Sequence, residues 1–109
     1  MPAPLPVPRR AQSRTKPYWD AEHRTLWFRG VIVKQFRQPS RFQMLILDVF
    51  EQEGWPEQID DPITGADFPG AKPRLHNVIQ NLNRHQQNHL IRFRGDGTGE
   101  GILWQIVGE

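Results

Sequence analysis

One stretch of this chain places amide and guanidinium side chains where they would share a helix face. At the helical period, Asn77, Gln80, Asn81 and Arg84 fall on the side opposite an apolar stripe. Asparagine and glutamine can pair with the edge of adenine in the DNA major groove, and arginine can pair with guanine. The pattern predicts nucleic-acid recognition. Its alternative is an ordinary solvated face, because any surface helix is polar opposite its apolar side.

The charges around this face are segregated along the chain. Residues 72–94 contain no Asp or Glu. Their positive residues are Lys72, Arg74, Arg84, Arg92 and Arg94. Residues 48–67 show the opposite pattern, with seven acidic residues and no Lys or Arg. Because segregated charge reflects partners rather than fold, Arg74, Arg92 and Arg94 join the candidate nucleic-acid-binding residues.

A glycine-rich loop follows the basic stretch. Glycine occupies every second position from 95 to 101, with Asp96, Thr98 and Glu100 between. No Gly-Lys-Ser/Thr motif follows, so the loop is not a P-loop, and two carboxylates are few for a hard cation. We predict a flexible hairpin tip, with Thr98 as a candidate contact to a nucleic-acid phosphate.

The histidines and acidic residues form no metal or catalytic motif. His85 and His89 are four residues apart, but no glutamate accompanies them as in a metalloprotease motif. Asp61 precedes Pro62, which favours a turn. The chain has no cysteine and no recognisable nucleophile arrangement. We therefore predict neither an enzyme nor a metal or cofactor site.

The acidic, proline-rich segment 55–72 supports an alternative function. Its prolines exclude a long helix, and a loop of this length is unusual in so small a domain. An exposed tryptophan beside acidic residues is typical of a protein-binding hot spot. The candidate partner-binding residues are Trp55, Asp60, Asp61 and Phe68. Acids at positions 48, 51 and 53 bordering the helix face would favour this alternative over DNA binding.

Two helices are predicted. The first spans residues 40–53, with Ser40 and Gln43 at the capping-box spacing and Gly54 just past its end. The second spans residues 73–88 and carries the polar face described above. Its apolar stripe consists of Leu75, Val78, Ile79 and Leu82.

Strands are predicted on both sides of the helices. Residues 18–36 are rich in β-branched and aromatic residues, and Arg29-Gly30 supplies the tight turn of a hairpin. Residues 89–107 form a second hairpin around the glycine-rich loop, and apolar and basic residues alternate along 91–94. The fold class is therefore α+β.

The chain of 109 residues is long enough for one core and too short for two. Residues 1–16 hold four prolines among their first eight positions and four basic residues, which predicts a disordered tail. This tail is either a solvated leader or a basic arm that adds affinity for nucleic acid. Residues 17–109 form a single domain. No apolar run has the length of a membrane span or a signal peptide, so we predict a cytoplasmic location without membrane contact.

The order of these elements resembles a known family. A strand pair within residues 24–34, a capped helix, the helical run at 74–82 and the basic strand and glycine at 91–95 follow one another. Together they resemble the winged-helix effector domain of OmpR-type bacterial response regulators over roughly residues 18–107. That family places another helix before the recognition helix, where this chain has segment 55–72, and this chain has no receiver domain.

The resemblance implies a winged-helix-like fold in which helix 73–88 enters a DNA groove and hairpin 89–107 is the wing. The runs at 59–62, 74–76 and 92–99 are also similar to short uncharacterised bacterial proteins, which implies no function. We predict a module that binds double-stranded DNA, a small bacterial transcription regulator, with a protein-interaction module as the alternative. No sequence element indicates an oligomeric state.

Overall fold

The structure, a computed structural model, describes residues 7–108. In chain order its elements are a 3₁₀ helix Arg9–Gln12, β1 (Tyr18–Asp20), β2 (Thr25–Phe28), β3 (Val31–Gln35), α1 (Arg41–Gln52), β4 (Gln58–Asp60), α2 (Leu75–Asn83), β5 (Ile91–Gly95) and β6 (Gly101–Ile106). Within these residues, two α-helices accompany two three-stranded antiparallel sheets, with strand orders β1-β2-β3 and β4-β6-β5. The predicted α+β class is confirmed.

The N-terminal sheet is built around the predicted hairpin of β2 and β3. Arg29 and Gly30 have positive φ angles of 53° and 79°, the combination with which a two-residue turn follows the twist of its strands. Strand β1 pairs with the other edge of β2, where Trp19 lies opposite Leu26. All four residues of β2 are buried, and the 3₁₀ helix packs against this strand.

Helix α1 follows the apolar pattern that predicted it, and residues such as Ile46 and Phe50 are buried. The capping-box pair meets through its side chains, since Gln43 Nε2 donates to Ser40 Oγ at 2.9 Å. Ser40 itself makes no side-chain hydrogen bond to the helix backbone. The helix ends before Gly54, whose φ of 77° suits a residue past a helix terminus.

Segment 55–72, predicted to be a loop, contains a strand that the sequence pattern did not show. Strand β4 pairs antiparallel with β6, so that Ile59 lies opposite Ile102, and both side chains are buried. Three residues are too few for a period-two pattern to be recognised. The predicted wing hairpin of β5 and β6 is therefore part of a three-stranded sheet.

Helix α2 is shorter than the predicted 73–88. The backbone leaves the helix at Arg84, which is extended at φ −80° and ψ 150°, and His85 has a positive φ of 56°. Lys34 of β3 lies at this end, where its Nζ donates to the carbonyl oxygens of Asn81 at 2.6 Å and Arg84 at 2.9 Å. A cation stabilises a helix C-terminus because it satisfies free carbonyls at the negative end of the helix dipole. This contact comes from another element, so the helical pattern alone did not predict it.

One hydrophobic cluster joins both sheets and both helices. At its centre, the Phe50 ring stacks on Trp55 with a centroid distance of 5.0 Å and an interplanar angle of 9°. The ring of Phe93 lies 5.9 Å from that of Phe50. These aromatic contacts fix α1 against strand β5 of the C-terminal sheet.

Polar groups close both edges of the N-terminal sheet. On β1, the backbone N–H of Trp19 donates to Glu51 Oε1 at 2.9 Å. On β3, the carbonyl oxygen of Val33 accepts the N–H of Gln87 at 2.8 Å. These edges therefore do not present free backbone groups at those positions.

Of the predicted tail 1–16, the first six residues lie outside the described residues. The remainder packs on the domain. Ala11 is completely buried, and its carbonyl oxygen accepts the N–H of Gly30 at 2.8 Å. Arg10 forms an ion pair with Glu51 of α1. The folded unit thus begins before the predicted boundary at residue 17.

The connection between α1 and α2, at residues 53–74, contains β4 and turns but no helix. Helix α2 is therefore not preceded by the partner helix of a helix-turn-helix motif. Neither helix within residues 7–108 has the length and apolar composition needed to cross a membrane.

Candidate nucleic-acid interface

Within Leu75–Asn83, helix α2 separates buried and exposed residues as its sequence pattern predicted, but Arg84, predicted on the same helix face, lies in extended backbone beyond the helix end. Val78, Ile79 and Leu82 are each at most 6% exposed. The exposed positions of the helix include Asn77, Gln80 and Asn81. Their side-chain amides make no hydrogen bond to any residue that the structure describes. Three amides on one helix face are therefore available to a ligand.

A side-chain junction joins the end of α2 to strand β5. Asn83 Nδ2 donates to the carbonyl oxygen of Phe93, and Asn83 Oδ1 accepts the Phe93 N–H, both at 2.8 Å. Arg84 follows Asn83 in the chain, while Arg92 and Arg94 flank Phe93, and all three arginines are exposed. The Asn83–Phe93 junction thus has three guanidinium groups on directly adjacent residues.

The remaining basic residues of this region lie at the start of α2. Arg74 is the N-cap residue of the helix, and it is exposed and forms no side-chain capping bond. Lys72 is also exposed, and its Nζ donates to the carbonyl oxygen of Thr64 at 2.9 Å. Basic residues therefore occupy both ends of α2, with uncharged amides between them.

Two of the acids that would argue against DNA binding are engaged elsewhere. Asp48 Oδ1 accepts the indole N–H of Trp19 at 2.7 Å. Glu51 Oε1 accepts the indole N–H of Trp55 at 2.9 Å, and its carboxylate also pairs with Arg10. These carboxylates hold β1 and the N-terminal segment on α1, and within residues 7–108 neither forms a hydrogen bond or ion pair with α2.

The tip of the C-terminal hairpin uses its polar groups internally. Asp96 Oδ1 accepts the Thr98 hydroxyl at 2.6 Å and the Thr98 N–H at 2.9 Å. These two bonds hold the pKa of Asp96 below its usual value, so the carboxylate stays ionised. The Thr98 hydroxyl and N–H, which were expected to contact a phosphate, are therefore already bonded to Asp96. The negative charge of Asp96 would also repel a phosphate at this position.

Most of the candidate partner-binding residues make contacts within the fold. Trp55 is 2% exposed and belongs to the core. Phe68 is half-buried, and its ring packs on that of Phe42 with a centroid distance of 5.4 Å. Asp61 accepts two bonds within its own turn, both at 2.7 Å. Asp60 alone of the four candidates is exposed, and the expected tryptophan anchor is buried.

Residues 7–108 contain no group of three histidine or acidic side chains placed to hold a metal ion.

Comparisons of the chain with protein-family models, with curated proteins and with solved structures gave no match in any of the three. The resemblance to winged-helix domains accordingly rests on residues and on the order of elements. A function has to be argued from the geometry of the site.

Proposed function

We propose that this chain is a double-stranded DNA-binding module of the kind found in small bacterial transcription regulators. The observation that carries the proposal is the Asn83–Phe93 junction with its exposed neighbours Arg84, Arg92 and Arg94. These arginines belong to residues 72–94, which contain no Asp or Glu, and arginines supply the phosphate contacts from which much of protein–DNA affinity comes.

The exposed amides of α2 give this surface a means of reading sequence. Asn77, Gln80 and Asn81 make no side-chain hydrogen bond within residues 7–108, and each offers the donor and acceptor pair that adenine accepts in the major groove. The nine residues of α2 span about 13 Å, which corresponds to roughly four base pairs. One copy of the module would thus read a short half-site.

The order of elements supports the same proposal. An N-terminal sheet, α1, α2 and the β5–β6 hairpin follow one another as in the winged-helix domains that the sequence resembles, with strand β4 between the two helices. The helix that such domains place before the recognition helix is missing. Here Lys34 and Asn83 hold α2 from its C-terminal end instead, through carbonyl contacts and the bonds to β5.

The test is fluorescence anisotropy of the full chain with a labelled mixed-sequence duplex across a salt series. We expect binding that weakens steeply with salt, because bound counterions are released from the DNA. Replacing Asn77 and Arg84 together by Ala should weaken binding by about tenfold or more. Arg37→Ala, an exposed arginine between β3 and α1, is the charge-matched control and should bind like the wild type.

The N-terminal basic arm is tested by substitution, because residues 7–16 are packed on the domain. Arg9→Ala/Arg14→Ala removes two exposed charges of this segment. If that variant alone loses binding while Asn77→Ala/Arg84→Ala retains it, α2 is not the reading element. Absence of binding by the wild type at low salt would overturn the proposal and direct attention to protein partners.

A further inference from the structure

A groove of about 790 Å³ lies beside the N-terminal end of α2. Three segments enclose it: the turn that begins at Asp61, the approach to α2 from Lys72 to His76, and the glycine-rich loop between β5 and β6. Its volume is within the range of ~300–1,000 Å³ that small-molecule sites occupy. It lies at the opposite end of α2 from the Asn83–Phe93 junction.

The floor of the groove is apolar. Ile63 and Ile79 line it at 2% and 6% exposure, with half-buried Leu75 beside them. The wall formed by the glycine-rich loop is backbone, because the loop residues that line the groove are all glycines. Gly97 and Gly99 have φ angles of 94° and 81°, and no heavy atom lies within 4 Å of where a Cβ would stand on either. A flat ligand can therefore approach both the floor and the loop backbone closely.

The rim of the groove is basic and hydrogen-bonding. The side chains of Arg74 and His76 are exposed and make no hydrogen bond or ion pair within residues 7–108. Asp61 is the acid that lines the groove, and its oxygens are already bonded within the turn. On the glycine-rich loop, Asp96 is bound by Gln58 Nε2 at 2.6 Å, and Glu100 does not line the groove. The free donors on the rim therefore fit an anionic group.

We infer that this groove binds a nucleotide unit, with the phosphate at Arg74 and His76 and the base between the apolar floor and the glycine wall. Arginine is the side chain best suited to hold a phosphate, and the apolar floor gives the base a surface to bury. The unit has two sources, a free nucleotide or a nucleotide of a single strand. The inference is independent of duplex binding by α2.

The experiment is a titration of the ¹⁵N-labelled full chain, followed by the backbone amide signals. The probes are adenosine 5′-monophosphate, adenosine, inorganic phosphate and a short single-stranded oligothymidylate. We expect saturable shifts at Leu75, His76, Gly97 and Gly99 with the monophosphate, and much weaker binding of adenosine or phosphate alone. The same shifts with the oligothymidylate but not with the monophosphate would support the inference and assign the single strand as the source.

Arg74→Ala should weaken binding of the monophosphate by about tenfold, since it removes one charge-assisted contact. Arg37→Ala, an exposed arginine between β3 and α1 that does not line the groove, is the matched control and should leave the affinity unchanged.

Two results would overturn the inference. One is phosphate alone producing the shifts of the monophosphate at the same affinity, which defines an anion site. The other is no shift at the groove amides with any probe. Duplex-induced shifts confined to Asn77 and Gln80 would then leave DNA binding standing without the groove. Shifts at the groove amides with the nucleotide probes, in the absence of duplex binding, would support the groove and contradict DNA binding by α2.

Discussion

Lys34 of β3 contacts the C-terminal end of α2 directly. It is 7% exposed, and its Nζ donates to the carbonyl oxygens of Asn81 and Arg84 while lying 5.1 Å from the ring centroid of Phe36. Burial lowers the pKa of Lys34 to about 8, because the charged form is poorly solvated there. The ammonium therefore caps the helix, but burying its charge costs free energy. This cost depends on pH, because it is present only while Lys34 is protonated.

We predict that the contribution of Lys34 to stability rises with pH between about 8 and 10. In this interval the unfolded chain, with a lysine pKa of 10.5, binds a proton that the folded chain has released. The free energy of unfolding should increase by at most about 1.4 kcal/mol per pH unit relative to Lys34→Met. Urea unfolding of both proteins at several pH values measures the difference, and parallel curves would contradict it.

Asn83 is expected to stabilise the fold through its two bonds to Phe93. Asn83→Ala leaves a backbone N–H and a carbonyl without these partners, which should lower the free energy of unfolding by about 2 kcal/mol. Asn83→Asp keeps the acceptor for the Phe93 N–H but replaces the donor with an oxygen that faces the Phe93 carbonyl oxygen, so it should also destabilise the fold. Asn77→Ala, on the exposed face of the same helix, is the control and should stay within about 0.5 kcal/mol of the wild type in urea unfolding.

Among the elements, the β2–β3 hairpin shows how much a local pattern can predict. Arg29-Gly30 between two β-branched and aromatic runs predicted a tight turn, and both residues have the positive φ that it requires. The local signal was sufficient because glycine readily takes a positive φ, although the N-terminal segment also contacts the turn through the bond from Gly30 N–H to the Ala11 carbonyl oxygen. The end of α2 was not predicted, because it involves a contact with Lys34 from another element. Strand β4 was not predicted, because it forms by pairing with the distant strand β6.

This hairpin also allows a matched glycine comparison. Gly30→Ala should lower the free energy of unfolding by about 1 kcal/mol, because an L side chain is strained at a φ of 79°. Gly65→Ala meets no atom within 4 Å and has no positive φ, so it should be neutral or stabilising by up to about 1 kcal/mol. Thermal or urea unfolding of both variants tests the contrast, and equal destabilisation would show that the turn does not need its glycine.

At the scale of the whole molecule, the distribution of positive charge predicts how DNA affinity depends on salt concentration. Arg92 and Arg94 are exposed on β5, and together they should account for roughly two released counterions when DNA binds. Arg92→Ala/Arg94→Ala should therefore reduce the slope of log K against log salt by about 2, equally for unrelated duplex sequences. An unchanged slope, measured by anisotropy, would place the phosphate contacts elsewhere.

The candidate site was only partly predictable from the sequence. The burial pattern of α2 and the alternation along β5 follow from periodicity, so the exposed amides and arginines were found. The Asn83–Phe93 junction and the groove beside Arg74 form between segments that are separated in the chain. A local sequence pattern does not predict contacts of this kind. The alternative function needed an exposed Trp55, whereas the simplest interpretation of the tryptophans placed them in the core, and Trp55 packs on Phe50 there.

The polar closure of the sheet edges has a consequence for how the protein behaves at high concentration. A bare strand edge is a template on which a second chain can add strands and begin a fibril. Glu51 and Gln87 bond the backbone of β1 and β3, and Asn83 does the same for β5. The remaining edge belongs to β4, which is three residues long. We therefore expect resistance to amyloid growth to depend on these few contacts, of which the Gln87 contact is made by a backbone N–H. Asn83 is the side chain whose loss would expose the β5–β6 hairpin.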